Sequence, residues 1–287
     1  MPLPRIWRHA KGVLELNRPI IMGILNVTPD SFSDGGQFNT VPEAVEHARQ
    51  LVALGADIID VGGESTRPQG ARQIGIDEEL NRVVPVVRVL AGELPDTLIS
   101  VDTNKSVVAM AALRAGAAIV NDVSGFRLDE KMADVCAAGG AGVVLMHSRG
   151  GVAEMATYAL AEYQSVVSEV QTELQQQVAT ARKAGIADDR IALDPGIGFA
   201  KRGPHSLAVL HRLGEISALG FPVMVGVSRK RFIADLTDEP VPANRVAGTV
   251  AANVAAMERG ARIFRVHDVR PNRQGLDVAW AIMTASA

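Results

Sequence analysis

The chain has 287 residues, of which 47% are hydrophobic and 21% charged, a composition typical of a globular protein with a large buried core. Its formal net charge of −3 gives no general attraction to nucleic acid or to an anionic membrane, so we expect neither as a partner, and any bound anion needs a local cationic cluster. There is no apolar stretch of membrane-spanning length, the N-terminus lacks a signal core, and the single Cys136 has no disulfide partner, so we expect a cytoplasmic protein.

Short, continuous apolar runs recur along the chain, and each ends in a polar or glycine-bearing tail. The runs are 20–25, 57–61, 97–101, 117–120, 142–146, 190–193, 222–225 and 262–264. Continuous runs of this length, as opposed to alternating ones, are typical of parallel strands covered on both faces. The pattern therefore predicts eight buried parallel strands.

Segments with helical spacing of apolar residues separate most of these runs. They are 42–54, 104–115, 129–138, 163–181, 205–219, 243–259 and 274–285. Eight strand-helix units favour a (β/α)8 TIM barrel over an open doubly wound sheet, because eight strands close around an interior filled by side chains. We expect one domain over residues 1–287, with residues 5–18 forming a short β-hairpin that closes the barrel bottom.

Active sites of such barrels lie at the carboxyl ends of the strands, where the polar tails meet. The tails there carry carboxylates, carboxamides and an ammonium, which suit the donors and acceptors of a flat heterocycle. These residues are Asn26, Asp102, Asn121, Asp194 and Lys230. A second set could bind a diphosphate through its positive charge. These residues are Arg67, Arg229, Arg265 and His267.

Seven motifs at the ends of the predicted strands carry a family resemblance. They are Gly23–Gly36 (GILNVTPDSFSDGG), Asp60–Pro68 (DVGGESTRP), Ser100–Thr103 (SVDT), Asn121–Gly125 (NDVSG), Asp194–Phe199 (DPGIGF), Ser228–Lys230 (SRK) and Arg265–Val269 (RVHDV). Together they span residues 20 to 270, and in this order they resemble dihydropteroate synthase, a folate-pathway transferase of the pterin-binding TIM-barrel group.

The resemblance implies the reaction. Such enzymes join 6-hydroxymethyl-7,8-dihydropterin diphosphate to 4-aminobenzoate, forming 7,8-dihydropteroate and releasing pyrophosphate. It also implies Mg²⁺ as the cofactor, a homodimer formed through helices near the carboxyl end, and sensitivity to sulfonamides. A neutral arylamine is already nucleophilic, so we expect catalysis to come from stabilising the departing pyrophosphate without a strong base.

The resemblance also implies roles for individual residues, transferred motif by motif. The pterin would be bound by Asp102, Asn121, Asp194 and Lys230. The diphosphate would be bound by Asn26, Thr66, Arg67, Arg265 and His267, with Asn26 also on Mg²⁺. The 4-aminobenzoate slot would be lined by Phe32, Thr66, Arg67, Pro68, Phe199 and Ser228. The catalytic set would be Asp102, Asp194, Lys230, Arg265 and His267.

Several residues have a simpler structural interpretation. Asp102 before Thr103 could be no more than a helix N-cap. His147 is interpreted as a satisfied core histidine and left out of the site.

The chain also departs from the family pattern. Ser148 stands where a methionine is usual, and Gln69 makes the arylamine loop one residue longer. We therefore hypothesise an altered sulfonamide affinity.

Two other functions compete with the synthase. A methyltetrahydrofolate:corrinoid methyltransferase would share the pterin-binding positions but would not need a diphosphate site. A non-catalytic pterin-binding paralogue would be expected to lose the Ser65–Pro68 loop or the Asp194–Phe199 segment, and both are present. The motif set favours the synthase.

Overall fold

The computed structural model describes residues 4–28, 41–64, 74–155 and 157–285. The strands in these ranges are β1 Ile6–His9, β2 Gly12–Glu15, β3 Ile20–Asn26, β4 Ile58–Gly62, β5 Leu98–Asp102, β6 Ile119–Asp122, β7 Gly142–Met146, β8 Ile191–Asp194, β9 Val223–Val225 and β10 Ala261–Val266. Strands β3 to β10 are parallel and follow one another around a closed barrel, with β10 pairing back to β3. The predicted (β/α)8 barrel is confirmed.

Helices separate the barrel strands. They are α1 Val41–Ala53, α2 Ile76–Glu93, α3 Ser106–Ala115, α4 Met132–Ala138, α5 Val152–Met155, α6 Val166–Lys183, α7 Gly203–His211, α8 Leu213–Ser217, α9 Arg231–Thr237, α10 Val246–Glu258 and α11 Val269–Thr284. In α6 the buried residues recur every three or four positions, as in Val167, Val170 and Leu174, which gives the helix one apolar face against the barrel. None of the helices in the described ranges has the length and apolar character needed to cross a membrane.

The helix prediction differs from the structure in several places, and the short helices α5 and α9 were not predicted. Helix α2 was not predicted; Pro85 interrupts its pattern by removing one backbone donor, yet Val83, Val86 and Leu90 still form a buried face around it. The predicted helix 205–219 divides into α7 and α8 at Arg212. Helix α11 begins at Val269, five residues before the predicted start, directly after β10 and its tail.

Alternate residues of each strand face opposite sides of the barrel wall. On β3, Ile21 and Leu25 pack in the layer between strands and helices, whereas Ile20 and Met22 pack in the barrel interior. The interior is filled by side chains, so the barrel is a packed core and leaves only its carboxyl rim for chemistry.

The N-terminal hairpin closes the opposite end. Strands β1 and β2 pair antiparallel, and Trp7 lies fully buried among the interior side chains of the barrel. Its indole Nε1 donates to the carbonyl of Arg190 at 2.9 Å, and the Ala10 N–H donates to the carbonyl of Ala118 at 3.2 Å. The expected plug at the barrel bottom is confirmed.

Candidate active site

Strand register places the polar tails side by side at the rim. Asn26 of β3 pairs with Gly62 of β4, Gly62 pairs with Asp102 of β5, and Asp102 pairs with Asn121 of β6. Further round, Asp194 of β8 pairs with Met146, the last residue of β7. The structure therefore brings these predicted site residues to the same end of the barrel, although they are far apart in sequence.

Arg265 of β10 is held between two carboxylates. Its Nε donates to Asp60 Oδ2 at 2.6 Å and its Nη2 donates to Asp102 Oδ2 at 2.6 Å. Asn121 Nδ2 donates to the same Asp60 oxygen at 3.0 Å. A guanidinium has five N–H donors, and these contacts use two of them. Arg265 is thus fixed in orientation by β4 and β5 and keeps donors for an anion.

Asp60 was not predicted as a site residue. It lies fully buried inside β4, and its Oδ1, like Asn121 Oδ1, has no hydrogen-bond partner among the described residues. A carboxylate within the apolar run 57–61 was the available sequence signal, because buried carboxylates are rare unless they are paired.

The acid-base state of Asp102 is set by its surroundings. Burial raises the pKa of Asp102 to about 7; Arg265 opposes this rise, and Asp60 adds to it. Asp102 does not cap a helix, since α3 begins four residues later at Ser106 and the Ser106 N–H donates to Asp129. Burial therefore disfavours the charged form of Asp102, and the Arg265 guanidinium favours it.

Asp194 ends β8 in a buried position. Its Oδ1 accepts a hydrogen bond from the Gly196 N–H at 2.7 Å. Gly196 has a φ of 65°, and a Cβ there would lie 1.9 Å from the His147 carbonyl oxygen, so only glycine fits. A Cβ added to Gly226 would lie 3.9 Å from Asp194 Oδ2, so this oxygen lies on the side of the β9 tail. Burial raises the pKa of Asp194, and the Gly196 hydrogen bond and the Lys230 charge oppose this rise.

Lys230 and Phe199 form the neighbouring wall. The Lys230 Nζ lies 4.0 Å from the centroid of the Phe199 ring, a cation–π distance. Burial lowers the pKa of Lys230 to about 8, against the opposing effect of Asp194. The ammonium, the aromatic face and the carboxylate of Asp194 therefore belong to one local cluster.

Ser228 and His267 are coupled across the tails of β9 and β10. The His267 backbone N–H donates to Ser228 Oγ at 3.2 Å, and Oγ lies 3.0 Å from His267 Nδ1. Oγ has one hydrogen and two lone pairs, so it can donate to Nδ1 or accept from it. In either case the contact fixes the orientation of the imidazole ring.

Arg229 is paired with a carboxylate that follows β10. Its guanidinium forms a bidentate pair with Asp268, with Nε to Oδ2 at 2.9 Å and Nη2 to Oδ1 at 2.6 Å. This pair uses two of the five N–H donors of the guanidinium and offsets its charge. The contribution of Arg229 to anion binding stays a prediction.

Four predicted residues lie outside the described ranges: Phe32, Thr66, Arg67 and Pro68. Gln69, on which the sulfonamide hypothesis depends, lies outside them as well. The described part of the predicted arylamine slot is Phe199 and Ser228.

His147 and Ser148 lie in the segment that follows β7. His147 is fully buried and contacts Lys201 and Glu173, so it is a satisfied core residue as interpreted. Ser148 Oγ donates to the Val123 carbonyl at 2.7 Å and accepts from Arg127 at 2.9 Å. The serine that replaces the usual methionine is therefore fully hydrogen-bonded. Sequence reasoning missed Lys201, whose ammonium contacts His147 Nδ1.

A metal ion would need substrate oxygens here. Among the described residues, no three His, Cys, Asp or Glu side chains are grouped to hold a metal. A Cβ added to Gly62 would lie 3.8 Å from Asn26 Oδ1 and 3.7 Å from Asp102 Oδ2. Both oxygens therefore lie next to Gly62 at the rim. Neutral and carboxylate oxygens fit Mg²⁺ whose other ligands are phosphates and water.

Comparison with known proteins agrees with this geometry. Residues 22–267 match the family model described as pterin binding enzyme. A curated relative from Synechocystis, named dihydropteroate synthase, is 46% identical over 92% of this chain and 90% of its own length.

Two solved structures from Xanthomonas albilineans are similarly close. Its dihydropteroate synthase with 4-aminobenzoic acid superposes with a TM-score of 0.91 at 42% identity, covering 98% of this chain and 99% of that one. The same enzyme in complex with 7,8-dihydropteroate superposes with a TM-score of 0.85 at 41% identity, covering 96% and 97%. The chain therefore belongs to the dihydropteroate synthase family of pterin-binding enzymes.

Proposed function

We propose that the chain condenses 6-hydroxymethyl-7,8-dihydropterin diphosphate with 4-aminobenzoate to give 7,8-dihydropteroate and pyrophosphate, a step of folate biosynthesis. The observation that carries the proposal is the gathering of Asp194, Asn121, Lys230 and the clamped Arg265 at one rim. The relatives' ligands, 4-aminobenzoic acid and 7,8-dihydropteroate, are the second substrate and the product of this reaction.

The pterin is recognised by Asp194. With Oδ1 held by Gly196, the other oxygen accepts from the amino and ring N–H groups of the pterin. Asn121 and Asp102 contact the far edge of the ring, and the Lys230 ammonium donates to an acceptor such as the ring carbonyl. An analogue without the N–H groups leaves a buried carboxylate oxygen unpaired, which is the source of selectivity.

The reaction is a substitution at the exocyclic methylene. The arylamine nitrogen forms the new C–N bond, the C–O bond to the diphosphate breaks, and pyrophosphate departs with the bonding electrons. The nitrogen, now positively charged, loses its proton to the pyrophosphate or to water. Arg265 and His267 donate to the leaving group, together with Thr66 and Arg67 from outside the described residues. Because Asp60 and Asp102 fix the guanidinium, little reorganisation is needed as charge builds on the leaving oxygen.

The second substrate lies against Phe199. Its ring gives an apolar wall for the benzene ring of 4-aminobenzoate, and the Lys230 ammonium lies close to the same aromatic group. Ser228 borders the slot from the β9 tail, and Phe32, Thr66, Arg67 and Pro68 complete it.

Mg²⁺ is proposed as the cofactor, with the Asn26 side-chain oxygen as a protein ligand. When bound, it neutralises charge on the diphosphate oxygens. Excess EDTA is expected to suppress turnover, and added Mg²⁺ to restore it. Full activity in EDTA would remove Asn26 from the metal site.

The direct assay mixes the purified protein with the pterin diphosphate, 4-aminobenzoate and Mg²⁺, and measures dihydropteroate and pyrophosphate. Equal amounts of both products are expected. A corrinoid methyltransferase would instead consume methyltetrahydrofolate, and a non-catalytic paralogue would bind pterin without releasing pyrophosphate. Either outcome would refute the proposal.

We further propose a homodimer formed through the carboxyl-terminal helices. Large apolar side chains are exposed on α11 and just after α9: Val278, Ile282, Met283 and Val241. Ile282 is 72% exposed and Val278 62% exposed, unusual values for aliphatic residues grouped on one helix. Light scattering is expected to give twice the chain mass for the wild type and a single chain mass for a Val278→Glu, Ile282→Glu variant. A monomeric wild type would contradict the proposal.

A cytoplasmic location stays a prediction.

A further inference from the structure

Lys201 is a lysine with no role in the proposed reaction, and it is almost completely buried. Its side chain is 1% exposed. The ammonium contacts three acceptors: His147 Nδ1 at 2.7 Å, the Gly196 carbonyl at 3.1 Å and the Phe199 carbonyl at 3.1 Å. An ammonium has three N–H donors, so the three acceptors match its charged form. A buried cation needs a reason, because burial of an unpaired charge is costly.

Two of these acceptors belong to the turn that carries the pterin carboxylate. Gly196 donates its N–H to Asp194 Oδ1 at 2.7 Å and gives its carbonyl to Lys201. Phe199 donates its N–H back to the Gly196 carbonyl at 3.0 Å. Lys201 therefore binds two backbone carbonyls of the turn between Asp194 and Phe199 and restrains its conformation.

The backbone between Phe199 and Lys201 shows how firmly this turn is held. Ala200 has a φ of 46°, in the left-handed region that residues with a Cβ rarely adopt. Its N–H donates to the Met155 carbonyl at 2.8 Å, and its carbonyl accepts from the Tyr163 hydroxyl at 3.0 Å. Such a conformation persists where the surroundings over-determine it.

The third acceptor links Lys201 to a counter-charge. His147 Nδ1 accepts from the ammonium, so its proton lies on Nε2, which contacts Glu173 Oε2 at 3.0 Å. Burial, with the Lys201 charge adding to it, lowers the pKa of His147 to about 4, so the imidazole is neutral near pH 7. Glu173 lines a cavity of about 700 Å³ between α6 and the loop after β6. Glu173 also pairs directly with Arg149, so its carboxylate is shared between Arg149 and the Lys201–His147 pair.

We propose that Lys201 is a positioning residue of the pterin site, which fixes the Asp194–Phe199 turn and, with Glu173 acting through His147, favours the ionised form of Asp194. The inference rests on the proposed pterin function. It assigns Lys201 no contact with substrate. Burial lowers the pKa of Lys201 to about 7, while Asp194 and Glu173 raise it and Arg149 and Lys230 lower it.

A Lys201→Met variant tests the proposal, with the exposed Lys183→Met as the matched control. Calorimetric Kd values for 6-hydroxymethylpterin and for pyrophosphate are measured across pH. We expect pterin binding about tenfold weaker at pH 7, because a positioning charge and its hydrogen bonds are lost. The pH below which pterin binding is lost is expected to rise, since Lys201 lowers the pKa of Asp194. The affinity of the Lys201→Met variant for pyrophosphate is expected to equal that of the wild type. The Lys183→Met variant is expected to bind both ligands with wild-type affinity.

A purely structural lysine would give a different result. Equal losses of pterin and pyrophosphate binding, or a loss of pterin binding with no shift of the acidic limit, would overturn the proposal. Unchanged pterin binding would overturn it as well. A wild-type protein that binds no pterin would instead refute the proposed function, so the two failures are distinct.

A Glu173→Gln variant avoids the buried substitution. Since Glu173 raises the pKa of Lys201, its removal is expected to lower the pH above which pterin affinity falls. Glu169→Gln is the control, because Glu169 also pairs with Arg149, at 2.8 Å, but has no contact with His147. A folded Glu173→Gln variant whose pterin profile overlays that of Glu169→Gln would contradict the proposal.

Discussion

Replacing Asp194 by asparagine tests pterin recognition with almost no change in volume. Because Gly196 donates to Oδ1, the amide oxygen of the new side chain takes that position. Its NH₂ group then occupies the Oδ2 position, where the proposed ligand also presents N–H donors. The substitution therefore opposes donor to donor and removes the charge.

The size of the effect follows from the number of contacts. Two hydrogen bonds to a carboxylate, each contributing about 1.5–3 kcal/mol, amount to a loss of about 3–6 kcal/mol. At about 1.4 kcal/mol per tenfold change, the affinity for 6-hydroxymethylpterin is expected to fall by about 10² to 10⁴. Calorimetry with the pterin alcohol measures this, and pyrophosphate binding is the internal control and should not change.

Protein stability distinguishes this effect from misfolding. Burial raises the pKa of Asp194, so the ionised carboxylate costs folding free energy as the pH rises above the range in which the unfolded group titrates. An uncharged asparagine avoids that cost, and the Tm at pH 7 is not expected to fall. Pterin affinity within threefold of wild type, in a variant of normal Tm, would refute the assigned role of Asp194.

Three further predictions concern Lys230, Arg265 and Trp7. Burial lowers the pKa of Lys230 to about 8, so kcat/KM is expected to fall above that pH as the ammonium is lost, and a profile flat to about pH 10 would contradict this. Arg265→Ala is expected to weaken pyrophosphate binding in calorimetry and to cost about 3–5 kcal/mol of stability by leaving two carboxylates unpaired. That loss should be larger at pH 8 than at pH 5, because removing Arg265 raises the already high pKa of Asp102 further; equal losses in denaturant titrations would argue against the clamp. Trp7→Ala is expected to cost about 3–5 kcal/mol of unfolding free energy while leaving the pterin Kd unchanged, and a lost pterin affinity would contradict the separation of plug and site.

The barrel could be predicted from sequence because its strands have a distinctive apolar pattern. Buried parallel strands such as β3 and β7 need apolar residues on both faces, which produces continuous runs whose ends mark the rim. Helix α2 was missed since Pro85 disrupts the apolar pattern on which the prediction depends. Helix boundaries such as the start of α11 depend on tertiary contacts that no local pattern contains.

The site was only partly predictable, for a related reason. Residue types at strand ends identified Asp194 and Lys230, but partners are set by three-dimensional pairing. Arg229 and Arg265 look equivalent in sequence, yet Arg229 forms a bidentate pair with Asp268 and Arg265 lies between Asp60 and Asp102. Lys201 follows a motif in sequence and could be recognised as buried only once its three acceptors were located.

A crystal structure of the protein with 7,8-dihydropteroate tests the central claim most directly. The pterin ring is predicted to place its amino and ring N–H groups within hydrogen-bond distance of Asp194 Oδ2, with Asn121 and Lys230 at its other edges and the benzoate ring against Phe199. A ligand bound elsewhere, or a pterin at the rim that does not contact Asp194, would contradict the account.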